Sequence, residues 1–427
     1  MAHLSIEQLS EQERQLSARY QGFLQAGLNL DLTRGKPSTE QLALSDALDG
    51  ILAGNYKTRD GVDVRNYGGI NGIPEARELG AALLGVSSEQ TLVGGNSSLT
   101  LMYQYMMFCM YIGIQGENSA WFIEAAGKPV KFLCVVPGYD RHFTICESLN
   151  IEMINIDMTA SGPDMAQVEA LVKADNNIKG IWCVPKYSNP SGECYSKATV
   201  QRLAQLGNIA GKNFRIMWDN AYAVHDLDTV LDLANIMDAC QQAGMTDSVF
   251  ITGSTSKITF AGAGVSFAGS SVDNLKHFKN WLSAQTIGPD KVNQLRHVRF
   301  LKNHAGLLAH MEKHALILKP KFDRVQEHLT AALEGQGVGN WTIPQGGYFV
   351  SFNTLPGLAK EVVRLTGEAG VKLTPAGATF PYQTDPQDCN IRIAPSFPSL
   401  EEIDQAMPVF ITCVQLASVR QQIAQNS

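Results

Sequence analysis

A lysine flanked by hydroxyls stands at Ser254-Thr255-Ser256-Lys257, followed by apolar residues and glycines as far as Gly264. Partial burial in such a setting lowers an ammonium's pKa and frees the amine to act as a nucleophile. Read alone, the same residue is an ordinary solvated lysine. Asp219 closes the apolar run Arg215–Asp219 and opens Asp219-Asn220-Ala221-Tyr222. A carboxylate at the end of a buried strand is costly to desolvate and calls for a cationic partner. The turn Pro185-Lys186-Tyr187-Ser188-Asn189-Pro190-Ser191-Gly192 places an amide side chain, Asn189, at a strand tip. In Pro137-Gly138-Tyr139-Asp140-Arg141-His142, Tyr139 offers a flat face to an aromatic ring, or else packs as a loop tyrosine. Gly94-Gly95-Asn96-Ser97-Ser98 opens an apolar helix. Small polar residues there leave free N–H groups for an anion such as a phosphate, although a plain serine cap reads the same way.

Three other chemistries are weaker. Ser254 to Lys257 also fits Ser-x-x-Lys, the nucleophile motif of penicillin-binding proteins and β-lactamases, and Tyr187-Ser188-Asn189 imitates their second motif. It precedes the first instead of following it, and no Lys-Thr-Gly occurs. Gly262-Ala263-Gly264 lacks the third glycine of a dinucleotide site. His310 and His314 lie one helical turn apart with no further ligand in evidence, so they read as a packed or solvated pair and no metal is expected.

These residues need a frame. Short β-rich runs at Thr91–Gly94, Phe132–Val136, Glu152–Ile156, Gly180–Val184, Arg215–Asp219, Ser248–Gly253 and Val265–Gly269 alternate with helical patterns such as Met165–Lys173 and Lys197–Ile209. Several are apolar on successive positions, as strands covered on both faces should be. The pattern predicts an α/β fold with a mostly parallel, seven-stranded sheet, in which ligands bind at the carboxyl ends of the strands. Beyond it, Asp290–Leu318 reads as one helix ended or kinked by Pro320. Then come a helix at Phe322–Leu333, a strand-like Trp341–Phe352, a Pro/Gly-rich stretch near Pro375–Gly377 and a final helix, Leu400–Ala424. The expected organisation is a large α/β domain over residues 50–300 and a smaller α+β domain over 301–427, with residues 1–49 packing on the smaller one.

The chain's 427 residues exceed what one hydrophobic core usually supports. Net charge is −7 with both signs interspersed, which speaks against a nucleic-acid partner. The eight cysteines (109, 134, 146, 183, 194, 240, 389 and 413) form no Cys-x-x-Cys pair and read as small buried hydrophobes of a reducing compartment. The polar, mixed-charge N-terminus is no signal peptide, and the longest apolar run, Leu99–Ile114, is short for a span and reads as a buried helix. A cytoplasmic protein with no membrane partner is expected.

The ordered set Asn-Pro-Ser-Gly (189–192), Asp-x-Ala-Tyr (219–222) and Ser-x-Ser-Lys (254–257) resembles the fold-type I, pyridoxal-5′-phosphate-dependent aminotransferases of class I/II. Further motifs extend the likeness over most of the chain: Leu32-Thr33-Arg34-Gly35-Lys36-Pro37, Tyr67-Gly68-Gly69-Ile70-Asn71-Gly72, Pro344-Gln345-Gly346-Gly347-Tyr348-Phe349 and Asn390-Ile391-Arg392-Ile393-Ala394. The stretches Thr374–Pro381 and Ser256–Gly264 are similar to a bacterial subgroup of aspartate aminotransferases.

The resemblance implies roles. Lys257 would hold pyridoxal 5′-phosphate as a Schiff base and shuttle the substrate's Cα proton. Asp219 would pair with the pyridinium nitrogen, with His142 behind it, and Tyr139 would stack on the ring. Asn189 and Tyr222 would bond the phenolate oxygen. Asn96, Ser97, Ser98, Ser254 and Ser256 would hold the phosphate. Arg392, helped by the Gly35 backbone and by Asn189, would grip the substrate α-carboxylate. Tyr67 would reach the phosphate of a neighbouring subunit, which implies a homodimer with shared sites. The chain departs from the family at Ala263-Gly264-Val265, where most members carry an arginine for the phosphate. The implied reaction is transamination between aspartate and 2-oxoglutarate. A second carboxylate on the substrate needs a second cation, for which Arg34, Arg65, Arg141 and Arg296 are candidates and Arg34 the pick. β-Lyases and decarboxylases use the same fold and lysine. Regulators with a cofactor-sensing domain carry a winged helix in front, for which residues 1–49 leave no room.

Overall fold

The computed structural model describes residues 5–426. An eight-stranded sheet is built from β1 (Thr91–Val93), β2 (Lys131–Val136), β3 (Glu152–Thr159), β4 (Gly162–Pro163), β5 (Ile178–Cys183), β6 (Arg215–Asp219), β7 (Val249–Ser254) and β8 (Ser266–Gly269). Their order across the sheet is β1-β8-β7-β6-β5-β2-β3-β4. The inner strands β7, β6, β5, β2 and β3 run parallel; β8 is antiparallel to both β1 and β7. The seven expected runs are all strands, and the eighth is the two-residue β4 paired antiparallel to the end of β3. Side chains alternate between two apolar layers. Leu133, Ile181, Ile216, Trp218 and Ile251 enter one cluster, while Phe132, Cys134, Trp182, Met217 and Phe250 enter the other. This double covering explains why the strands are apolar on successive positions.

A third cluster joins the N-terminal helix Ile6–Gln25, through Leu9, Leu16 and Tyr20, to the three-stranded antiparallel sheet Gly339–Trp341, Val350–Thr354 and Asn390–Ile393 and to the helix Leu400–Asn426. Leu30–Asp31 pairs in parallel with Val371–Lys372.

Three element expectations are corrected. Asp290–Leu318 is two helices, Lys291–Leu301 and His304–Leu333. Between them Lys302 takes φ 64 and ψ −63, Asn303 N–H bonds Leu301 O at 2.7 Å, and the Asn303 side chain caps the second helix. That is a γ-turn followed by an N-cap, a break carried by backbone strain more than by composition. Pro320 does not end the helix, which runs through it to Leu333; the proline costs only the bond to Leu316, which lies on a solvent-facing stretch (78% exposed). Trp341–Phe352 is not one strand. It splits because Pro344, Gly346 and Gly347 (φ 78) form a loop between Trp341 and Val350. The run Leu99–Ile114 is helical from Ser98 to Met107 and continues as a π-helical turn, Phe108–Ile112.

Candidate active site

The carboxyl ends of β2, β5, β6 and β7, with the start of the helix Ser98–Met107 after β1, converge on a slot of about 150 Å³. Its walls carry Ser97, Ser98, Tyr139, Asn189, Tyr222, Ser254, Ser256 and Lys257, and Asp219 lies at its base. Asp219 and His142 are almost fully buried, and His142 Nε2–H donates to Asp219 Oδ2 at 3.0 Å. The other carboxylate oxygen takes only a long bond from Thr252 Oγ1, at 3.4 Å. The His142 ring is stacked on Trp182 (centroids 4.2 Å apart), with Tyr139 edge-on at 5.0 Å. The carboxylate is thereby held rigid and aimed into the slot.

Lys257 is half-buried, with Nζ 4.9 Å from the Tyr222 ring centroid. Burial lowers its pKa, and the Asp219 charge opposes that only in part. Its amine is therefore more easily deprotonated than an exposed one, as a nucleophile requires. The Lys257 carbonyl is held from behind: Tyr348 O–H and His225 Nε2–H both donate to it at 3.3 Å. Gln41 Nε2, fully buried, donates to Tyr348 Oη at 3.0 Å and approaches His314 Nδ1 at 3.0 Å. Ile258 O, one residue on, meets His310 Nε2 at 2.8 Å.

The slot opens into a cavity of about 590 Å³, and Tyr139, Asn189, Tyr222 and Lys257 line both. Arg392, from the strand Asn390–Ile393, lies in this cavity with its guanidinium over the Phe349 ring (4.8 Å). Its Nη1 donates to Asn189 Oδ1 at 3.2 Å and to Asp140 Oδ1 at 3.5 Å, and its Nε to Thr374 Oγ1 at 3.4 Å. Gly35 packs so closely on the same ring that a Cβ there would stand 2.3 Å from Phe349 Cζ.

Most residues singled out from sequence come together here: Lys257, Asp219, Tyr222, Tyr139, Asn189, Ser97, Ser98, Ser254 and Ser256 at the slot, with Gly35 and Arg392 in the cavity. Asn96 stands next to them, with its side chain turned to Gly262 O (3.2 Å) and lining a neighbouring cavity. Tyr67 is 82% exposed and lines neither space. Of the four arginines, Arg34 and Arg141 line the cavity, whereas Arg65 pairs with Asp63 and Arg296 bonds Leu48 O and lines the cavity beside Asn96. Trp182, His225 and Gln41 escaped the sequence reading, and Asp140 and Thr374 stood in quoted motifs without a role assigned to them. Gln41 carries no local signal, being placed only by the fold.

The match to the aspartate amino-transferase family model runs over residues 4–426. The chain belongs to the aspartate aminotransferase family. It is 46% identical over 411 residues to a putative aminotransferase of Mycolicibacterium smegmatis, covering 95% of each chain. It is 45% identical over 393 residues to an aspartate aminotransferase of Corynebacterium glutamicum, covering 92% of this chain and 90% of that one. Among solved structures, an aspartate transaminase of C. glutamicum superposes with a TM-score of 0.94 at 42% identity, covering 98% of this chain and 100% of the other. As in this family, the protein is an aminotransferase with a mixed α/β fold. Among the described residues no helix is long and apolar enough to cross a membrane, and no group of side chains is placed to hold a metal ion.

Proposed function

We propose that this aminotransferase exchanges the amino group of aspartate with 2-oxoglutarate, using pyridoxal 5′-phosphate carried on Lys257. The observation that carries the cofactor part is the buried His142–Asp219 pair at the base of a slot whose mouth holds a desolvated lysine. The slot suits the group: hydroxyls and a helix N-terminus lie at one end, a carboxylate faces where a ring nitrogen would sit, and Tyr139 stands beside it. When bound, the cofactor supplies an electron sink for the carbanion formed at the substrate's Cα.

The chain's own residues do the rest. Lys257 Nζ would hold the cofactor, and its amine is the group placed to move a proton at the substrate's Cα. Asp219 would hold a proton on the ring nitrogen, and His142 fixes the orientation of its carboxylate. Asn189 and Tyr222 bond the phenolate oxygen, and Ser97, Ser98, Ser254 and Ser256, with the Asn96 loop, receive the phosphate. Arg392, stacked on Phe349 above Gly35, forks onto the α-carboxylate. The exposed Tyr67 suits a ring that reaches a second subunit, so we propose a homodimer. The aspartate assignment rests on the relative of that name.

Borohydride reduction followed by peptide mapping should place the pyridoxyl label on Lys257, and Lys257→Ala should abolish the visible absorbance and cut turnover by several orders of magnitude. A label on another lysine overturns the assignment. With 2-oxoglutarate as acceptor, aspartate and glutamate should lead a panel of donors in kcat/KM.

A further inference from the structure

Arg392 answers one carboxylate, and an acidic substrate has two. The wall facing Arg392 is the first turn of the helix Asp140–Ser148, which follows Tyr139 directly. Asp140 reaches Arg392 Nη1. The next residue, Arg141, is exposed to the same cavity and makes no hydrogen bond or ion pair with any described residue. Burial raises the Tyr139 hydroxyl's pKa, the Asp219 and Asp140 charges raise it further, and Arg141 and Arg392 both pull it down. Both guanidiniums thus lie near the same tyrosine, in the cavity that all three residues line. A four- or five-carbon diacid spans roughly 4–5 Å between its carboxyl carbons at about 1.5 Å per bond, so its two charges call for two separate cations in one cavity. Arg34 also lines the cavity and stands by Asp31. Burial works to raise that carboxyl, but the Thr33 hydrogen bonds and the Lys36 and Arg34 charges together hold it low, so part of the Arg34 field is already answered.

We propose that Arg141 is the specificity-determining residue of this site, binding the distal carboxylate of a dicarboxylic amino acid while Arg392 binds the proximal one. The proposal rests on the acidic-substrate reading above. A guanidinium unpaired in the free protein can meet a carboxylate without first breaking a bond, and its fork matches that group in two hydrogen bonds. Glu147 lines the same cavity and disfavours a carboxylate that strays along the helix, so the charge order Arg392, Arg141, Glu147 limits chain length as well as sign.

The test compares the holoenzyme with its Arg141→Gln, Arg141→Lys and Arg34→Gln forms, using aspartate, glutamate and alanine as donors. Arg141→Gln should lower the ratio of kcat/KM for aspartate over alanine by about 30- to 1000-fold. Arg141→Lys should recover part of that ratio. Calorimetric binding of succinate should weaken in parallel, with propionate the control. If the wild type prefers acidic donors but Arg141→Gln keeps the ratio, or Arg34→Gln lowers it more, the assignment to Arg141 is wrong and the substrate reading stands. If the wild type shows no preference for acidic donors, both fall.

Discussion

Imidazoles behind the lysine show what single residues contribute. His225, His297, His310 and His314 are all buried, and burial is the first cause holding the pKa of each below the usual histidine value, His314 as far as about 4. For His225 the reason is visible: Nε2–H serves the Lys257 carbonyl while Nδ1 has no partner, so a proton there would be an orphaned buried donor. The unfolded chain takes up these protons near pH 6.5 and the folded one does not. Their contribution to stability is therefore complete above that pH and is lost as the pH falls toward the folded values. The slope is on the order of 1.4 kcal/mol per pH unit for each imidazole kept neutral. The unfolding midpoint should drop between pH 7 and pH 5, before ordinary carboxylates titrate, and His314→Gln should flatten that drop. A midpoint level over this range would contradict the assignment. None of this is legible from His310 and His314 alone: their spacing marks a pair, but their partners Gln41 and Ile258 are brought in by the fold. Lys257, Asp219 and Arg392 were legible because ordered motifs surround them.

At the scale of elements, strands were read well and helix breaks poorly, for a physical reason. A strand covered on two faces writes an unbroken apolar run, and all seven such runs became strands. The break at Lys302 rests on one backbone conformation, which lysine adopts only under strain and which no compositional signal marks. Lys302→Gly should relieve that strain and, after the added entropy of glycine in the unfolded chain, stabilise the protein by up to about 1 kcal/mol. A lower thermal midpoint for this variant would mean that the lysine side chain contributes more than its backbone costs. The loop that splits Trp341 from Val350 was hidden similarly. Its glycines are there for contact, since a Cβ on Gly346 would stand 2.2 Å from the Tyr187 ring. Through this loop Leu227 N and Gln345 O, and Gly347 N and His225 O, join the strand carrying Arg392's neighbours to the turn after Asp219.

At the scale of the whole molecule, the described residues form three hydrophobic clusters, and the helix His304–Leu333 belongs to two of them. Leu307 and Met311 of His304–Leu333 pack with the large sheet, while Leu318, Phe322, Val325, Leu329 and Leu333 pack with the C-terminal helix and the three-stranded sheet. We propose that the boundary between the two domains lies inside this helix, between residues 311 and 318, and not ahead of it at 300/301. A rod embedded at both ends couples the melting of the two cores: losing either one strips half the rod of its packing, and so short an orphaned stretch is not helical in water. Scanning calorimetry should record one endotherm whose van't Hoff and calorimetric enthalpies agree; two resolved peaks would show the cores melting apart. Because the cavity with Arg392 and Lys257 lies between structure supported by both, a half-folded form could not retain the substrate, and the enzyme should pass from active to inactive without a leaky intermediate.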